Sequence, residues 1–255
     1  MTTLSRVLKV AILVTDVPMA EVCQRRGDYY TMFTRCLQQA GRQLYPPVTV
    51  ETEGFDVVNE PFRYPENPSA WDAILITGSK ADSYRDLPWI TRLVDYVRTT
   101  VPQYPQLKWL GICFGHQIIA RAFGVTPEVS PLGWEVGPTT VKLTDTGRQV
   151  LGAPTYSSLT LLQLHRDVVE GCPEGFQVLG YSNKCSNHSM VKGNQVLTVQ
   201  GHPEFTNDVV EVVVRARRET GAIPRDVADA CLEKISDNND SLWFTARMLR
   251  FALGE

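Results

Sequence analysis

The stretch that most constrains this chain is Leu107 to Phe123, where an apolar run ends in Gly111-Ile112-Cys113-Phe114-Gly115 and a helical pattern begins at once. Leu107 to Ile112 is short and apolar enough for a buried strand, and Ile118, Ile119, Ala122 and Phe123 then recur at helical spacing. A strand that passes into a helix within a few residues points to a helix-covered parallel sheet rather than to hairpins. The turn also sets Cys113 between glycines at a helix N-terminus, where unpaired N–H groups favour an anion and hence the nucleophilic thiolate form of cysteine.

The same alternation recurs upstream. Val7 to Val14 and Trp71 to Thr77 read as strands, whereas Tyr30, Phe33, Leu37 and Ala40, and then Trp89, Leu93, Val94, Val97 and Val101, fall at helical spacing. Crossover connections of this kind predict a mostly parallel sheet covered on both faces, with ligands beyond the carboxyl ends of the strands. Gly78 and Cys113 both follow a strand end and are expected to face one crevice. From Gly133 to about Val199 the pattern shifts to short alternating strands, such as Thr139 to Thr144 and Phe176 to Tyr181, a mixed or antiparallel extension. Helical patterns over Asn207 to Glu219, Pro224 to Ile235 and Ser241 to Leu253 close the chain, with Pro224 suited to a first turn. No repeat or linker divides the 255 residues. The expectation is one domain with a core over about 7–215 and a C-terminal helical extension over about 222–253.

A second motif complements the cysteine. Gln195 to Gln200 reads as a strand end and empties into Gly201-His202-Pro203-Glu204-Phe205. His202 is placed to act as a base, and Glu204, two residues on, is spaced to reach the far nitrogen of the same ring. Nucleophile, base and orienting carboxylate form a triad recognised by roles and not by chain order.

These two segments resemble the class I glutamine amidotransferase superfamily, whose elbow reads Gly-x-Cys-x-Gly-x-Gln and whose second motif is His-Pro-Glu. The resemblance implies a flavodoxin-like, doubly wound α/β fold, with Cys113 as nucleophile, His202 as general base and then acid, and Glu204 as its orienter. It covers most of residues 7–215. Ile74-Leu75-Ile76-Thr77-Gly78-Ser79-Lys80 is similar to the segment that carries an oxyanion donor in relatives, so the N–H groups of Gly78 or its neighbour and of Phe114 would form the oxyanion hole. Gln117, Ser79 and His165 are, by the same match, candidates for shaping the substrate pocket. A histidine satisfied by a local aspartate is an equal reading of His165-Arg166-Asp167. More narrowly, Gly27 to Phe33, Asp86 to Ile90 and Gly133 to Gly137 look like the stand-alone branch that includes plant gamma-glutamyl peptidases and fungal amidotransferase-like proteins.

Charge and composition remove other classes. A formal net charge of −3 offers no electrostatic reason to expect nucleic acid. No apolar run approaches the roughly 20 residues that cross a bilayer. Without a signal-peptide pattern at the start, a cytoplasmic location is the default expectation. The six cysteines are scattered without C-x-x-C or zinc-like spacing, Cys36 and Cys231 fall in helical patterns, and Cys185 lies in a loop that is a candidate border of the site. The four histidines occupy separate segments without ligand spacing, and Gly111 to Gly115 lacks the phosphate-loop Lys and Ser/Thr. Neither metal nor other cofactor is expected. The charged run Arg215-Ala216-Arg217-Arg218-Glu219 reads as a solvated helix end.

Four functions stay open at this point. The first is a stand-alone cysteine hydrolase of gamma-glutamyl amide bonds in glutathione-like peptides or conjugates, with the small-molecule substrate as its partner. The second is a glutaminase subunit that passes ammonia to a separate synthetase. The third is recruitment of the same thiolate to pathway-specific acyl or nitrogen transfer. The fourth is a non-catalytic interaction protein, against which the intact triad argues.

Overall fold

The computed structural model describes residues 6–255. Its first half alternates strands and helices: β1 (Arg6–Val14), α1 (Ala20–Arg26), α2 (Tyr29–Gln43), β2 (Val48–Asp56), β3 (Ala73–Ile76), α3 (Pro88–Gln103), β4 (Lys108–Ile112) and α4 (Phe114–Ala122). Then come β5 (Glu128–Val129), β6 (Glu135–Leu143), α5 (Asp145–Val150), β7 (Ser158–His165), β8 (Asp167–Val168), β9 (Gln177–Tyr181), β10 (Ser189–Lys192) and β11 (Val196–Val199). The helices α6 (Asn207–Glu219), α7 (Arg225–Glu233) and α8 (Ser241–Ala252) complete the order.

Nine strands form one sheet in the order β2-β1-β3-β4-β11-β10-β9-β6-β7. The strands from β2 to β11 are parallel and those beyond β11 antiparallel. This is the doubly wound sheet with an antiparallel extension that the sequence predicts. The pleat of β1 explains the two-sided cover: Leu8, Val10 and Ile12 enter a core with Phe33 and Leu37 of α2, while Ala11 and Leu13 meet Leu93 and Val97 of α3 and Ile118 of α4. The C-terminal helices join these layers. Phe244, Met248 and Leu249 of α8 share the α2 core, and Cys231 of α7 packs with Val209 and Val213 of α6.

β2 and β7 are the longest strands without a named counterpart in the sequence reading. β7 carries Ser158 and Thr160, which look like loop chemistry, yet it pairs along β6 from Ser158 to His165 and buries Leu159, Leu161 and Leu162. β2 alternates buried and exposed residues as an edge strand should.

The parallel half fixes the site. β3, β4 and β11 end side by side, with Ile76 opposite Gly111 and Ile112 opposite Val199. The residues just after these strands, Thr77-Gly78, Cys113 and Gln200-Gly201-His202, therefore emerge together at the carboxyl end of the sheet.

Candidate active site

Cys113 joins β4 to α4 with φ 51° and ψ −101°, the one non-glycine at positive φ among the described residues. Such a conformation costs on the order of 1–3 kcal/mol and persists where the surroundings enforce it. Here they do: the Cys113 N–H donates to Val199 O at 2.8 Å, and a side chain on Gly115 would put its Cβ 2.4 Å from Ile76 O. Glycine at 115 thus lets α4 close onto the end of β3 and forces the sharp turn.

His202 arrives from β11. Its N–H donates to Leu162 O at 2.8 Å, its Nδ1 meets Glu204 Oε1 at 2.8 Å, and its ring stacks on Phe205 with centroids 4.1 Å apart. Engaging Nδ1 with the carboxylate leaves Nε2 without a competing partner, for use toward the Cys113 sulfur. Burial alone would push the His202 pKa down, but the Cys113 sulfur and the Glu204 carboxylate outweigh it and raise it to about 10. The imidazolium form therefore prevails at neutral pH.

Gly78 lies against both residues. A Cβ there would sit 2.9 Å from His202 Cε1 and 3.7 Å from Cys113 Cβ. Its carbonyl is anchored by the Thr15 hydroxyl at 2.8 Å, and the Thr15 N–H donates to Thr77 Oγ1 at 3.0 Å. In a trans peptide the C=O and the following N–H point oppositely, so holding this carbonyl also fixes the direction of the Ser79 N–H. Phe114 is the first residue of α4, where an N–H has no acceptor within the helix.

A cleft of about 310 Å³ opens over Cys113, lined also by Ser79, Gln117, Trp134, His165 and Arg217. Of the predicted pocket residues, Ser79 borders it and accepts from the Ala81 N–H at 3.1 Å. Gln117 is fixed on both ends of its amide, accepting from Ser83 Oγ at 2.9 Å and donating to Asp167 O at 3.0 Å and Gln200 Oε1 at 3.1 Å. Gln200 in turn donates to Cys113 Sγ at 3.4 Å. The sequence gives no sign of this link beyond the adjacency of Gln200 to the His202 motif. His165 lines the cleft and is held by Asp167 O at 3.2 Å and by Glu135 Oε2 at 3.0 Å.

Sequence separation conceals what happens behind His165. Glu135 Oε2 also receives His188 Nε2 at 2.7 Å, and Glu135 Oε1 receives Ser182 Oγ at 2.6 Å. Histidines from separate segments thus do converge, because β6, β7 and the loop before β10 meet there. Glu135, His165 and His188 offer ligand atoms within 4.8 Å of one another, the one such set among the described residues. Both carboxylate contacts to the rings have ordinary hydrogen-bond lengths. Cys185 lies near Glu135 and does not line the cleft; burial pushes its thiol up to about 12.

With the geometry established, comparison places the chain among known proteins. The sequence model of the family described as glutamine amidotransferase class-I matches residues 27–213. A glutamine amidotransferase-like protein of Schizosaccharomyces pombe is 35% identical over 247 residues, covering 96% of this chain and 98% of that one. Gamma-glutamyl peptidase 4 of Arabidopsis thaliana is 28% identical over 230 residues, 88% of each chain. Among solved structures, a glutamine amidotransferase from Thermotoga maritima superposes with a TM-score of 0.69 at 15% identity, over 96% of this chain and 98% of that one.

Proposed function

The chain belongs to the class I glutamine amidotransferase family and is a glutamine amidotransferase-like hydrolase; from that premise we propose that it cleaves gamma-glutamyl amide bonds by itself, with Cys113, His202 and Glu204 as its triad. The observation that carries this reading is the strained Cys113 elbow facing a buried imidazole that Glu204 already orients.

The steps follow from these positions. The Cys113 sulfur attacks the gamma-carbonyl carbon, forming a C–S bond while the carbonyl electrons move to oxygen. That oxyanion is met by N–H groups at the Gly78–Ser79 loop and at Phe114. Collapse of the intermediate breaks the C–N bond, and His202 gives its Nε2 proton to the departing nitrogen. The neutral imidazole then takes a proton from water, whose oxygen attacks the glutamyl thioester and releases glutamate and the Cys113 sulfur. Gln200 donates to that sulfur at 3.4 Å in the free site. Gln117, Ser79 and His165 border the bound glutamyl group.

The test is the ratio of kcat/KM for a gamma-glutamyl dipeptide to that for glutamine, measured on the purified chain. A preference for the peptide of about tenfold or more is expected. Glutamine turnover alone, rising when a synthetase is added, would instead assign the chain as an ammonia-supplying subunit.

Gly78→Ala probes the close approach at the site. The added methyl lands 2.9 Å from a ring already fixed by Glu204 and Phe205, so His202 must shift by a few tenths of an ångström. We expect kcat to fall about 100-fold with the melting temperature little changed, since small misplacements at the reacting centre are costly. A kcat near wild type would show that the imidazole yields freely.

A further inference from the structure

The cleft over Cys113 has a neighbour along Lys80, Leu164 and Arg217, which line both spaces. The neighbour is a smaller cavity of about 150 Å³. The walls of the smaller cavity are largely apolar, from Met19, Val22, Met32, Phe205, Val209 and Val213. Phe205, which lines this cavity, is stacked on His202 with centroids 4.1 Å apart, so one aromatic ring separates the cavity from the imidazole.

The charges at the junction are unequal. Lys80 is paired with Asp16 at 2.9 Å, and Arg166 lies 3.5 Å from Asp167. Among the described residues no carboxylate pairs with Arg217. Its guanidinium instead lies over the Trp134 ring at 5.4 Å from the centroid. A planar fork held on an aromatic face keeps its in-plane N–H groups free for a planar anion.

We propose that this cavity, with Arg217 at its junction to the cleft, is the subsite for the leaving amine, and that it takes an α-amino acid residue with an apolar side chain and a free carboxylate. The assignment of this side to the leaving group rests on the gamma-glutamyl hydrolase reading, because His202 must deliver its proton to the departing nitrogen. The side chain then enters among Met19, Val22 and Val213, and the carboxylate meets Arg217. Helix α6 provides the arrangement: Val209, Val213 and Arg217 follow at intervals of four and so share one face, apolar along the cavity and cationic at its rim.

Binding to the Cys113→Ala protein separates this subsite from the chemistry. The probes are gamma-glutamyl-leucine, gamma-glutamyl-leucinamide and gamma-glutamyl-glycine, titrated calorimetrically. The leucine acid is expected to bind about 10–100-fold more tightly than its amide, and about tenfold more tightly than the glycine compound. Adding Arg217→Gln should bring the acid-to-amide ratio close to one, while Arg217→Lys, which keeps the charge but not the fork, should give an intermediate ratio. Equal affinity for acid and amide in the Cys113→Ala protein, absence of binding by all three, or a ratio that survives Arg217→Gln would each overturn the subsite. Discrimination in binding without peptide turnover by the wild-type chain would sustain the subsite and remove only the hydrolytic reading.

Discussion

Cys113→Ala is expected to abolish hydrolysis of every gamma-glutamyl amide the wild-type chain turns over, by about 10⁴-fold or more, because a triad missing its nucleophile keeps only binding and oxyanion contacts. The same variant reports on the base. The Cys113 sulfur is the largest influence raising the His202 pKa to about 10 against the opposing effect of burial. Without it the imidazole should titrate at lower pH, as followed by NMR of the ring protons. In the wild-type chain the raised value keeps His202 protonated through neutrality, so the acid that serves the leaving nitrogen is lost only as pH rises through about 10, and acylation should decline there. Substitution to glycine divides strain from chemistry. Cys113→Gly is equally inactive, yet it removes the penalty of φ 51° and should unfold at higher denaturant than Cys113→Ala, by about 1 kcal/mol. Residual turnover by Cys113→Ala within tenfold of wild type would remove the sulfur from the mechanism.

How legible this site is in the sequence depends on whether a residue is positioned by local pattern or by tertiary convergence. The elbow at Cys113 is local: an apolar strand, glycines and a helical stripe meet in one segment. The turn through His202 and Glu204 is local too, and the parallel sheet then sets it beside the elbow because β4 and β11 are neighbours. By contrast, β7 hides behind Ser158 and Thr160, whose side chains occupy less buried positions that alternate with the buried Leu159 and Leu161. Arg217 reads as the solvated end of α6 because its charged neighbours Arg215, Arg218 and Glu219 dominate the pattern. Its membership of the Val209, Val213, Arg217 face is visible as a spacing of four, but what that face looks into is decided by packing against Trp134 and Leu164. The gathering of His165 and His188 on Glu135 has no periodic signature at all, since three separate segments supply it.

That gathering carries the largest expected effect on stability. Glu135 is buried and its carboxylate accepts from His165, His188 and Ser182. Burial raises its pKa, yet hydrogen bonds from the two imidazoles more than reverse this and hold it well below the usual carboxylate range. Glu135→Ala leaves two buried imidazoles and the half-buried Ser182 hydroxyl without their acceptor, and should cost about 3 kcal/mol, a fall in melting temperature on the order of 10 °C. Glu135→Gln should cost less: the amide oxygen can still accept from both rings, and only the Ser182 hydroxyl, which already accepts from the Lys184 and Cys185 N–H groups, loses its acceptor. The pH dependence has a definite sign. A carboxylate depressed in the native state contributes stability above its unfolded value of about 4.3, and that contribution is lost as pH falls below it. Buried His116 acts in the same direction from higher pH, because burial and the nearby His188 and His165 lower its pKa to about 3, so below about 6.5 the unfolded chain takes up a proton the native chain refuses. Stability should therefore start to fall below about pH 6.5 and fall more steeply below about 4.3, and Glu135→Gln should retain the first phase and weaken the second, to which Asp56 and Asp208, also held low by their hydrogen bonds, still contribute. A Glu135→Ala melting temperature within about 2 °C of wild type would mean that water or a rearranged loop satisfies those donors, and that the wall behind His165 is softer than its hydrogen bonds imply.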